Sequence, residues 1–200
     1  MKEIFMAVAI FAILFAGANF VEAKSLTSEQ FEKVADYIGR HPSSSPENTV
    51  TLKLDTEQFK QGFNAELKPI LTSAKFDSDE VRQTMEKLFY IQDYKVFHSE
   101  IGNLYVNIFG DKAAILGVTG KDDAHFKTMC CTYAAPENRE ENTLSSLVLV
   151  SFVRTLLPGI EFESFMKDLS SSQGKPFTRD GIKFSLGKED NLVVLTAVAE

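Results

Sequence analysis

Downstream of residue 24 the apolar side chains follow two periods, and the switches between those periods outline the secondary structure. Phe31, Val34, Ala35 and Ile38 fall on one helical stripe, opened by Thr27 and Gln30 in capping-box spacing and closed by Gly39. His41 to Asn48, with two prolines and three serines, reads as a linker. Leu52 and Leu54 then alternate with polar neighbours, the mark of a strand with one buried face. Asp55 and Gln58 cap a helix carrying Phe59, Phe63, Leu67 and Ile70, and Ser78 opens a second helix carrying Val81, Met85, Leu88 and Phe89. An extended stretch near Tyr94 to His98 leads into a hairpin. Leu104, Val106 and Ile108 form its outgoing strand, Gly110-Asp111 the turn, and Ala113 to Val118 the return.

The same order follows again. Met129, Cys131 and Tyr133 alternate as a strand, and Val148, Phe152 and Leu156 mark a helix ending at Pro158-Gly159. Phe162, Met166 and Leu169 mark the next helix, Ile182, Phe184 and Leu186 an outgoing strand, and Leu192 to Val198 its return. Subtraction gives constant offsets within elements. Phe59, Phe63, Leu67 and Pro69 lie 89 residues before Val148, Phe152, Leu156 and Pro158, and Val81, Met85 and Leu88 lie 81 before Phe162, Met166 and Leu169. Leu104, Val106 and Ile108 lie 78 before Ile182, Phe184 and Leu186. Offsets that change only in loops are what duplication followed by loop drift would leave. The expected fold class is therefore α+β: two tandem strand-helix-helix-hairpin units, residues 50–120 and 121–200, forming one compact pseudo-two-fold domain with a mainly antiparallel sheet. Residues 24–49 precede them as helix and linker. The span from Leu144 to Leu157 is apolar around most of its circumference with only Arg154 charged, so this helix is expected at the centre.

The first residues change the compartment in which this fold must work. Lys2 is followed by an apolar run from Ile4 to Val21, and Val21-Glu22-Ala23 has small residues at the positions a signal peptidase requires. Residues 1–23 thus read as a signal peptide cleaved after Ala23, and the product is expected to be exported to the periplasm or secreted. The competing reading, a membrane anchor, is opposed by Gly17, Asn19 and Glu22 in the distal half and by the absence of a basic stop-transfer flank. No stable membrane span is expected after processing. The formal net charge of −7 and the mixed, acidic surface oppose nucleic acid and anionic lipid as partners, since both require clustered lysine and arginine.

Candidate chemistry is sparse. The two cysteines, Cys130 and Cys131, are adjacent, so on a regular strand they point to opposite faces and ordinary disulfide geometry is out of reach. They form a candidate thiol site, with a strained vicinal or an intermolecular bond as the alternative to two buried thiols. His41, His98 and His125 are isolated from one another, and the acidic residues near His125 lack calcium-loop spacing, so no metal is expected. Ser164 and Lys167 have the spacing of a serine nucleophile and its lysine base, but their neighbours Phe162, Phe165 and Met166 are core positions and the companion motifs are missing. No nucleotide loop or hydrolase elbow occurs, and no cofactor is implied. Seventeen phenylalanines with no tryptophan are the remaining anomaly. Phe59, Phe63, Phe152, Phe165 and Phe184 are the candidate lining of an apolar pocket between helices and sheet.

These observations favour a non-enzymatic exported binding, adaptor or inhibitor module that acts on a periplasmic or extracellular protein. The alternative is a carrier of a small hydrophobic ligand in the phenylalanine-lined cavity. Recognition is expected in the connector Asp122 to His125 and the loop Pro136 to Glu141, since loops on a rigid scaffold carry recognition most often.

Overall fold

The computed structural model describes residues 27–74, 78–99, 102–110, 112–121, 123–134, 139–189 and 192–200. The leader and its cleavage position at Ala23 lie outside them, as do Asp111, Asp122 and residues 135–138.

Among the described residues, five α-helices and seven strands form an α+β fold. Helix α1 (Ser28–Gly39) is followed by a short 3₁₀ turn at Pro42–Ser44, then by α2 (Thr56–Ser73), α3 (Asp79–Phe89), β1 (Lys95–His98), β2 (Asn103–Phe109), β3 (Ala113–Thr119) and β4 (Phe126–Ala134). The remainder is α4 (Arg139–Leu156), α5 (Phe162–Ser171), β5 (Phe177–Arg179), β6 (Ile182–Glu189) and β7 (Leu192–Ala199). Both capping boxes form as the sequence predicts: Thr27 with Gln30 opens α1, and Asp55 with Gln58 opens α2. All seven strands join one sheet in the order β1-β2-β3-β4-β7-β6-β5, antiparallel throughout.

The sheet is covered on both faces. Its inner face packs against α2 and α4 and, nearer the β5 side, α5, in a core containing Phe59, Phe63, Ile115, Met129, Phe152, Phe165 and Phe184. Its outer face carries α1 through Val34 and Ile38, which meet Val106, Leu116, Cys130 and Val194. Strands β3 and β4 are buried along their whole length, which explains their unbroken apolar runs. From Ser145 onward helix α4 is buried on nearly every side because it lies on the sheet with α2 on one flank and α5 on the other. The α2–α4 approach is close at Gly62, where a Cβ would stand 3.0 Å from Thr155 Cγ2.

Four expectations change. The strand at Leu52–Leu54 does not form as a sheet member: Leu52 N donates to the Phe126 carbonyl at 2.7 Å and Asp55 bridges His125, but β7 occupies that side of β4 from Thr128 onward, leaving no room for more pairing. The span 41–48 is docked rather than a loose linker. Ser44 is buried, its Oγ donating to the Ile38 carbonyl at 2.7 Å, and buried Lys127 donates to the Ser45 carbonyl at 3.0 Å. Val81 on α3 is 39% exposed, because α3 packs chiefly on α2 at the rim.

The fourth concerns the two units. The order helix, helix, three strands occurs twice, with β1 and β5 preceding the expected hairpins. The offset of 78 fails in those hairpins, however. Val106 faces α1 on the outer side, whereas its partner by subtraction, Phe184, lies in the inner core. Strand side chains alternate with period two, so an alignment wrong by one residue exchanges the faces.

Candidate functional site

The five candidate pocket phenylalanines fall into two groups. Phe59 stacks on Phe63 with ring centroids 6.0 Å apart and meets Phe152 edge-on at 5.9 Å, while Phe63 reaches Phe109 at 5.3 Å. Phe165 and Phe184 form the second group with Phe177, the Phe165–Phe184 centroids lying 5.1 Å apart. Each ring is in contact with another ring, so these residues hold α2, α4 and α5 onto the sheet. Phe126 extends the first group toward Tyr94 and Tyr105, and does so because Gly117 lies beneath it: a Cβ there would stand 2.3 Å from the Phe126 ring.

Cys130 and Cys131 are both free and buried. Cys131 faces the inner core with Met129 and Tyr133, and Cys130 faces α1, as alternation on β4 requires. Burial pushes the Cys130 thiol up to about 12 and that of Cys131 well above its ordinary value. A thiol held neutral in this way is a poor nucleophile.

The polar candidates are dispersed. His41 Nδ1 accepts from Ser43 N at 3.2 Å, and burial, with Lys183 nearby, lowers its pKa. His98 Nδ1 lies 2.7 Å from Asn103 Oδ1. His125 donates its backbone N–H to Asp123 at 2.9 Å and places Nδ1 2.7 Å from the same oxygen, which holds the Asp123 carboxyl below its usual range. No group of three metal-ligating side chains occurs among the described residues. Ser164 Oγ accepts from Arg179 at 3.0 Å, and Arg179 also pairs with Asp168, so Ser164 is engaged by the β5 arginine while Lys167 is exposed.

Clefts among the described residues open at the surface in two places of interest. A cleft of about 440 Å³ is lined by Val50, Leu52, Lys53, Leu156, Ile182 and Glu200, where segment 50–54 approaches the end of β7 and the β5–β6 turn. None of the five candidate phenylalanines lines it. That turn, Asp180-Gly181, has φ of +51° and +75°, the left-handed pair that closes a two-residue hairpin. A second cleft, of about 300 Å³, lies between the C-terminal end of α1 and the β1–β2 hairpin, with Ala35, Gly39, Arg40, Phe97, Leu104 and Val118 in its wall.

The second cleft is lined in part by Phe97, an exposed aromatic side chain at the edge of the sheet. Phe97 is 50% exposed, Val96 38% and Ile108 41%, all on the outermost two strands. Strand β1 ends the sheet, so among the described residues one of its edges has no strand beside it. The free edge can be assigned. Ser99 N donates to the Gly102 carbonyl at 3.0 Å, which makes this a hydrogen-bonded pair, and such pairs alternate along an antiparallel ladder. Phe97 and Lys95 therefore bond inward to Leu104 and Val106, and the backbone groups of Val96 and His98 point outward. Sequence reading placed an extended stretch here but missed the surface, because a lone Val-Phe pair between Lys95 and His98 carries no signal for whether a neighbouring strand covers it.

Comparison with protein-family models, with curated proteins and with solved structures returns no match.

Proposed function

We propose that the chain is an exported, non-enzymatic binding module that engages a protein partner through the β1 side of its sheet. The observation that carries this reading is the open edge of β1, where half-exposed Phe97 forms part of the wall of the cleft of about 300 Å³, since an unpaired strand edge is a ready template for pairing with another chain. Export rests on the leader pattern of residues 1–23. No described helix is long and apolar enough to cross a membrane. Capture from the exported fraction of the host with mature protein and with Phe97→Ser tests it. A partner retained by the first and lost by the second is expected, and identical recoveries would overturn the assignment of this face.

A second reading has its own observation. The cleft of about 440 Å³ has Leu52, Leu156 and Ile182 in its wall, and its size suits a small apolar ligand. The ligand would then sit at this surface cleft, not among the packed phenylalanines. Native mass spectrometry of protein purified from its host should show a retained mass, and a clean apo mass would remove this reading.

We also propose duplication as the origin of the repeated element order. Pairing Tyr105 with Phe184 and Ala113 with Val193 restores matching faces in the hairpins, because all four belong to the inner side.

A further inference from the structure

We propose that the partner enters as an extended segment that pairs with the free edge of β1 and carries an acidic residue opposite Lys95; this rests on the reading of the β1 face as the binding surface. The backbone supports the mode. Val96 and His98 present N–H and C=O groups outward two residues apart, the spacing at which an added antiparallel strand forms its paired hydrogen bonds. Side chains above and below then define what fits. On the outer face, the partner residue opposite Phe97 meets a half-exposed aromatic ring and the mouth of the cleft of about 300 Å³, so an apolar side chain belongs there. On the inner face, the residue opposite Val96 continues the row set by Val96 and Tyr105, where a β-branched residue packs best.

Charge selects the next position. Lys95 lies on the outer face, is exposed and has no ion-pair partner among the described residues, on a chain whose net charge is −7. Opposite charges across a strand pair stabilise it, so the residue facing Lys95 is acidic. A second copy of this chain fits less well. Two copies bring together two molecules that each carry a net charge of −7.

The test uses the mature full chain, labelled with ¹⁵N, and a library of acetylated, amidated hexapeptides. Each peptide carries valine at the two positions meant for Val96 and Phe97, glutamate or lysine at the position meant for Lys95, and threonine or serine elsewhere. Binding is expected to shift the amides of Val96 and His98, to favour glutamate over lysine by about fivefold or more at low salt, and to reverse that preference in Lys95→Glu. Methylating the peptide nitrogen that faces Val96 should weaken binding at least tenfold, while methylating the next nitrogen should not. Lys95 is exposed, so the reversal does not depend on a variant of the core. Peptides that shift these amides equally with either methylation would overturn strand addition and leave the binding face standing. If no peptide binds and Phe97→Ser captures the same host proteins as wild type, the face falls and the strand mode with it. Shifts of the same amides on raising protein concentration alone, with a dimer in sedimentation, would overturn the peptide partner in favour of a second copy.

Discussion

Single positions show how little slack the inner core has. Gly117 lies under Phe126, and any Cβ there would overlap the ring. Gly117→Ala should therefore cost about 1–3 kcal/mol, lowering Tm by about 2–4 °C per kcal/mol in a chain of this size, with thermal unfolding as the measurement. The cysteines make a second prediction. Neither thiol should react with a disulfide reagent at pH 8 in the folded chain, and both should react once it is unfolded; labelling followed by mass determination decides this. Their raised folded-state values also fix the sign of the pH dependence. Above about pH 9 the unfolded chain releases thiol protons that the folded chain retains up to about pH 12 at Cys130, so stability is complete below pH 9 and declines as pH rises through that window. Denaturant midpoints between pH 8 and 11 measure it, and an increase would contradict the burial of these groups.

Elements are joined by a few polar ties as well as by phenylalanine rings. Asn64 on α2 donates to the Ile91 carbonyl at 3.0 Å and accepts from Ile91 N at 2.8 Å, which fixes the exit of α3 against α2. Asn64→Ala leaves both backbone groups without that partner and is expected to cost about 1–3 kcal/mol, with faster hydrogen exchange at the Ile91 amide as the local readout. Helices α1 and α2 begin where their capping boxes place them, because the interaction spans three residues and needs nothing from the rest of the chain. Segment 50–55 shows the opposite case. Its alternation is genuine, with Leu52 buried and Lys53 exposed, yet it meets β4 only through the Leu52 N–H and the Asp55–His125 bridge because β7 holds the adjoining edge of β4.

At the scale of the molecule, the sheet separates an aromatic interior from a face carrying α1, and its two ends differ. The β5 end is short and tied to α5 through Arg179, Ser164 and Asp168. The β1 end leaves Phe97 half-exposed at an open edge, a cost that the proposed partner would remove. Phe97→Ser should therefore change folding stability by less than about 0.5 kcal/mol while improving solubility, which sedimentation and chemical denaturation together would show. Processing belongs to this scale too: the proposed export implies a mature N-terminus at Lys24, and the intact mass of protein recovered from the host checks it.

Local rules reached the helices, their caps, most strands and the opposite orientations of Cys130 and Cys131, since each depends on residues within a turn or on period-two alternation. The encirclement of α4 was also legible, because a helix with one charged residue in its apolar span has no side suited to water. Three outcomes depended on distant contacts. Which edge of β4 was already taken decided the fate of segment 50–55, and which face each hairpin strand presents decided the true correspondence between the halves. The candidate site is the third. Phe97 is exposed at an open edge because, among the described residues, no strand lies beyond β1, and the identity of a missing neighbour is written in no single stretch of sequence.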